Sequence, residues 1–211
     1  MIGTGDQGRP PFRGGSQTKP ANADSQVPEG TEGLHSRVQQ LALRQQMERN
    51  HFLLQRLNAS SARLIQSLEN GDAFEAIAEI IGNLIGSEEV AIFEYCAADE
   101  TFPLAWSWGV EPADMQLFKS GAGMFGRAVR LGASQFQERQ PEKVLLPFEK
   151  NLTACVLLKS GHEVLGIIAI FGLLPQKSRL EWADFELLKF LETYATVAIQ
   201  FQRMQKKQVA P

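Results

Sequence analysis

The sequence predicts an α+β fold in which a mixed sheet is flanked by helices and entered through one long helix. Three observations carry this expectation. Residues 34–70 contain neither Gly nor Pro and end on Asn70-Gly71, a helix stop. Two pairs of short apolar, β-rich runs follow, 90–96 with 102–108 and 152–159 with 164–171, each pair joined by a polar turn. The segments come in the order helix, helix, hairpin, short helices, hairpin, long helix, which lacks the strand-helix alternation of a parallel sheet.

Residues 1–33 are dominated by Gly, Pro, Ser, Gln, Asn and Asp and hold too few apolar side chains to offset the entropy of ordering, so a disordered tail is expected. In the 34–70 helix, Leu43, Met47, Asn50, Leu54, Leu57, Ser61, Leu64 and Leu68 alternate in steps of four and three, the spacing of a seam between paired helices. The candidate seam is therefore Leu43, Met47, Leu54, Leu57, Leu64 and Leu68, and the expected assembly is a coiled-coil-like homodimer. The competing reading is a helix folded back onto its own domain. Asp72 stands where its side-chain oxygen would cap a second helix, with Phe74, Ile77, Ala78, Ile81, Leu84 and Ile85 repeating at helical period up to Gly86.

After Gly86 the pattern turns to strands: 90–96 and 102–108 form a hairpin around 97–100. Residues 112–119 and 123–130 read as short helices, the second stopping at Gly132, with a strand near 134–137. The second hairpin turns at Ser160-Gly161, and its run 164–171 is apolar enough for a central strand. The final helix covers about 180–204, with Trp182, Phe185, Leu188, Leu191, Tyr194, Ala195, Ala198 and Ile199 as its buried face. The expected organisation is tail 1–33, helix 34–70, domain 71–206 and a short C-terminal tail 207–211.

A chain of 211 residues that is 44% hydrophobic can bury one substantial core. Its net charge of -3 comes from interspersed acids and bases, which offers no basic field for nucleic acid or anionic lipid. No run of the sequence is apolar for long enough to span a bilayer, and no signal-peptide pattern opens it, so no membrane insertion and a cytoplasmic location are expected. Cys96 and Cys155 are far apart and have no ligand-type spacing, which argues against a metal site and for reduced thiols. His162 falls in a turn, and His35 and His51 lie on the long helix with no carboxylate arranged as a catalytic partner, so none reads as a general base.

Four stretches, in this order and spacing, resemble the GAF family: Ser107-Trp108-Gly109-Val110, Gly121 to Ala128, Val164 to Ile170, and Asp184-Phe185-Glu186-Leu187-Leu188. The resemblance covers roughly residues 71–204. It implies a GAF-like (profilin-like) central antiparallel sheet of five or six strands, the long helices on one face and a small-molecule cavity on the other. By the same resemblance Trp106, Trp108, Phe118, Met124, Phe148 and Cys155 would line that cavity. The opposing reading is that these bulky groups fill the space themselves.

Gly121, Gly123 and Gly126 spell GxGxxG, yet no buried strand and no βαβ pattern surrounds them. A turn entering a helix is expected instead, with backbone N–H groups able to attract an anion. Glu94, between Phe93 and Tyr95, falls on the opposite face from them. The Asn-Lys and Phe-x-x-x-Asp-Glu signatures of cyclic-nucleotide-binding relatives are missing apart from Asp184, as are the Cys-His and Asp-Ile-Pro motifs of bilin-binding relatives. The resulting expectation is a non-enzymatic bacterial signalling module that senses a small ligand, dimerises, or both, and passes its state to a partner protein. A ligand-free protein-interaction adaptor is the first alternative. A GAF-like free methionine sulfoxide reductase is the second, although that class needs several reactive cysteines. No cofactor is identified beyond an unknown small-molecule ligand.

Overall fold

The computed structural model describes residues 29–111, 115, 117–119, 123–137 and 147–209, while the side chains of 29–34, 117–119 and 206–209 lie outside the description. The chain divides into two units, 1–46 and 47–211. In the first, the described part is the opening of helix α1 (Glu29–Asn70), which begins at Glu29 rather than at residue 34. The expected tail therefore yields residues 29–33 to the helix, and residues 1–28 lie outside the described part. Val38, Leu41 and Leu43 are exposed here.

The second unit is built on six strands: β1 (Val90–Glu94), β2 (Thr101–Trp108), β3 (Leu117–Lys119), β4 (Gln135–Phe136), β5 (Ala154–Ser160) and β6 (Glu163–Ile170). They lie in the order β3-β2-β1-β6-β5-β4, and every neighbouring pair is antiparallel. The nearly continuous apolar run of β6 follows from its position between β1 and β5, with both faces covered. Helices α2 (Ala73–Ile80) and α4 (Trp182–Val209) lie on one side of the sheet with residues 47–70 of α1, and α3 (Gly123–Leu131) lies on the other.

Alternation along the strands divides the interior into two cores. Val90, Ile92, Val156, Ile168 and Ile170 meet Leu64, Ile77, Leu188, Leu191 and Ala195 on the helical side. Ala91, Phe93, Cys155, Leu157, Ile167 and Ala169 meet Phe125 and Ala128 of α3 on the other. A side chain such as Ile77, wholly removed from water, contributes about 1.5–3 kcal/mol.

Three local expectations need correction. Asp72 precedes α2 but makes no side-chain cap: its carboxylate accepts from Arg63 Nη2 at 3.0 Å, because a charged partner outcompetes a backbone N–H. The cap comes instead from across the domain, where Gln202 Oε1 accepts the Ala73 N–H at 2.9 Å. Residues 117–119, expected in a helix, form edge strand β3 against Thr101, Phe102 and Pro103. Residues 112–114 and 116, from the same expected helix, lie outside the described part. In α4, Trp182, Phe185 and Tyr194 are exposed rather than buried; the inward face is Asp184, Leu187, Leu188, Leu191, Ala195, Ala198, Ile199 and Gln202. The helix is apolar on two sides, and sequence periodicity merged them.

Beyond α2 the chain makes a π-helical turn, Ile81–Ile85, closed by Gly86 at φ 81°, whose N–H reaches Ile81 O at 2.9 Å. Its last carbonyls are met by cations: Arg56 donates to Leu84 O, and Lys177 Nζ donates to Ile85 O at 2.6 Å. Both cations also hold Asp184, which is 1% exposed, at 3.2 and 2.7 Å. Asp184 in turn accepts the Glu181 N–H at 2.7 Å at the head of α4. One buried carboxylate thereby ties α1, the π-helical turn and α4 together.

Candidate functional site

The face of the sheet away from the long helices holds the residues on which a ligand reading depends. Gly123 opens α3 at φ 59°, a left-handed conformation that Gly adopts without strain. The next two N–H groups, of Met124 and Phe125, are not taken by the helix itself, and both donate to Glu149 Oε1, at 2.7 and 3.4 Å. Glu149 belongs to a short 3-10 helix, Pro147–Asn151, and is 4% exposed. A Cβ on Gly123 would overlap that carboxylate as it stands, so a larger residue there would have to push the end of the Glu149 side chain aside.

Around this contact lies a set of rings. Phe148 stacks on Phe93 with centroids 6.4 Å apart, tilts against Phe125 at 5.6 Å and meets Phe171 edge-on at 6.5 Å. Phe93 and Phe125 are themselves T-shaped at 5.5 Å. Such pairs prefer these offset and edge-to-face arrangements. Among the described residues, these four rings are thus already packed against one another.

Of the six residues expected at a cavity, Met124, Phe148 and Cys155 come together in this cluster. Phe118 lies on β3, opposite Phe102 in register, and its side chain is outside the description. Trp106 and Trp108 do not join them. Ile92 pairs with Trp106 but Phe93 pairs with Leu104, so Ala105 is an extra residue in β2. This bulge inverts the alternation: Phe102 and Leu104 face the aromatic cluster, whereas Trp106 packs on the helical side and the Trp108 ring lies over Gly82 of the π-helical turn. Glu94 likewise faces the helical side, held by Arg203 Nε of α4 at 3.1 Å.

The six seam residues also separate. Leu64 is 4% exposed in the helical-side core, with Leu57 and Leu68 packed against it, while Leu43, Met47 and Leu54 are exposed. The lower half of α1 thus follows the reading in which the helix folds back on its domain.

Cys155 is wholly buried, and its thiol is pushed well above its ordinary value, first by burial and then by the negative charge of Glu149. It is a poor nucleophile in this setting. Cys96 is half-buried at an isolated bridge to Thr101, with Asp99 beside its sulfur at 3.8 Å. Among the described residues no three His, Cys, Asp or Glu side chains converge as metal ligands. No described helix is long and apolar enough to cross a membrane.

Nothing in the sequence around Glu149 distinguishes it from a surface acid. Its donors are more than twenty residues away, and the GxG entry to α3 is the one signal that an anion belongs there.

No protein-family model and no curated protein sequence matches the chain. Solved structures do. The GAF domain of a phosphoenolpyruvate-protein phosphotransferase from Coxiella burnetii superposes with a TM-score of 0.58 at 15% identity, over 74% of this chain and 96% of that one. The corresponding GAF domain from Acinetobacter gives 0.58 at 13% identity, over 74% and 98%. A free methionine-R-sulfoxide reductase from Neisseria meningitidis gives 0.54 at 15% identity, over 72% and 89%. At these identities the likeness carries the fold alone. With its six-stranded antiparallel sheet, long helices on one face and α3 on the other, the chain has a GAF-like fold.

Proposed function

We propose that this chain is a non-enzymatic signalling module that works by association: it pairs with a second copy through its helices and passes its state to a partner protein. The observation that carries this reading is the second apolar stripe of α4. Tyr194, Val197, Phe201 and Met204 recur in steps of three, four and three on the side away from the core, and all four are exposed. Met47, Leu54 and Ile65 are likewise exposed on α1. A seam of this spacing on an outward helix face matches what a helix pair buries.

The association half of the reading is better supported than the small-ligand half, because Phe93, Phe125, Phe148 and Phe171 already fill one another's contacts on the opposite face. That favours the ligand-free adaptor among the two regulatory roles. Thiol chemistry is least supported, since Cys155 is buried and held neutral.

Native mass spectrometry of the full chain tests the proposal. The expected result is a dimer without added mass, and a folded monomer when Val197→Asp and Phe201→Asp are combined. A wild-type monomer at micromolar concentration would overturn the pairing. A retained small molecule would move the reading back to ligand sensing.

A further inference from the structure

We propose that Glu149 is a built-in ligand of its own domain: its carboxylate occupies the anion seat at the head of α3 and holds the aromatic face closed over Cys155. The inference goes beyond the association proposed above and stands without it. It rests first on the two N–H donors, Met124 at 2.7 Å and Phe125 at 3.4 Å, meeting one carboxylate oxygen. It rests equally on Gly123, the one residue type that lets the carboxylate come so near the backbone. The third observation is burial, with Glu149 at 4% exposure beside the apolar cluster that Phe148 packs against.

A structural cap alone would not call for a charge here: α2 is also capped from a distant element, and there the acceptor is the neutral Gln202 amide. Helix N-termini are ordinarily satisfied by a Ser, Thr, Asp or Asn immediately before the first turn, at small cost. The residue before α3 in the sequence is Ala122, which has no side-chain oxygen. The oxygen is brought instead from a different element, by a residue whose charge is expensive to bury. The donors and the helix dipole offset that cost, and they do so for any anion of the right size. The contact is therefore exchangeable in kind. It is also a tie between two pieces of chain, the start of α3 and the 3-10 helix that carries Phe148 into the ring cluster. With the tie in place, Phe148 lies against Phe93, Phe125 and Phe171, and Cys155 lies within the same cluster, out of reach of solvent. With the tie released, the 3-10 helix loses its hold on α3, and Cys155 becomes the reporter of opening.

The test uses the full chain in a Cys96→Ser background, so that N-ethylmaleimide reads Cys155 alone. Glu149→Gln keeps the shape and removes the charge, and labelling of Cys155 is expected to accelerate by about tenfold or more, the weight of a charge-assisted bond at a helix end. Glu149→Ala empties the seat. There, sodium formate is expected to slow labelling relative to sodium chloride at equal ionic strength, and to have no such effect in the parent. Equal labelling rates in the parent and Glu149→Gln would overturn the proposal. So would an acceleration fully matched by the loss of global stability in urea, which would make Glu149 an ordinary core group. If Glu149→Ala does not fold, Glu149→Gln decides on those two outcomes.

Discussion

At Cys155 burial and charge act in the same direction. Burial disfavours the thiolate, Glu149 repels it, and the thiol titrates well above its ordinary value of 9.0. The folded state therefore holds its proton more tightly than the unfolded state. The stability linked to this group is complete below about pH 9 and is lost as pH rises from there toward the folded value. In urea titrations the wild type is expected to weaken by up to about 1.4 kcal/mol per pH unit in that window. Cys155→Ala is expected to start less stable at pH 7 yet to show a flatter alkaline limb. Parallel limbs for the two proteins would contradict the assignment. At the same scale, Trp106 and Trp108 show how one unpaired residue, Ala105, decides which face two large rings occupy.

Among elements, the joint at Asp184 is the most demanding. A carboxylate that is 1% exposed is held by Arg56 and Lys177, and the same two cations meet the carbonyls that end the π-helical turn. Removing the acid leaves two cations facing a buried gap, the costly way to break such a set. Asp184→Ala is expected to lose about 3–5 kcal/mol in urea unfolding, whereas Arg63→Ala, whose partners Asp72 and Glu79 are more exposed, is expected to lose about 1 kcal/mol or less. Similar losses for the two would refute the ranking. Elements set by local pattern were legible in the sequence. The β5–β6 hairpin follows from its apolar runs and the Gly161 turn, and α3 from its Gly123 and Gly132 boundaries. Elements set by distant partners were not. A three-residue strand such as β3 exists by pairing with β2, a bulge has no sequence signature at Ala105, and Glu149 depends on donors in another element. Of the residues expected at a cavity, Met124, Phe148 and Cys155 fall together in one packed cluster, while the bulge at Ala105 turns Trp106 to the other face.

For the domain as a whole, one sheet separates two cores that share strands but not side chains. Small deletions on opposite faces should then be independent. Ile77→Val on the helical side and Ile167→Val on the α3 side are each expected to cost about 0.5–1.5 kcal/mol. Their double variant is expected to equal the sum within about 0.5 kcal/mol by denaturant unfolding, and a larger coupling would mean that the sheet transmits strain between its faces. The bond from Ala73 to Gln202 has a further consequence, in time rather than in energy. α4 is last among the elements in chain order, yet it supplies the cap of α2 and the cover over β5 and β6. During synthesis, at about 5–20 residues per second, every strand is made before the helix that shields this face. For several seconds the nascent domain presents Val156, Ile168 and Ile170 to its surroundings, an interval in which a chaperone or a neighbouring nascent chain reaches them before α4 does.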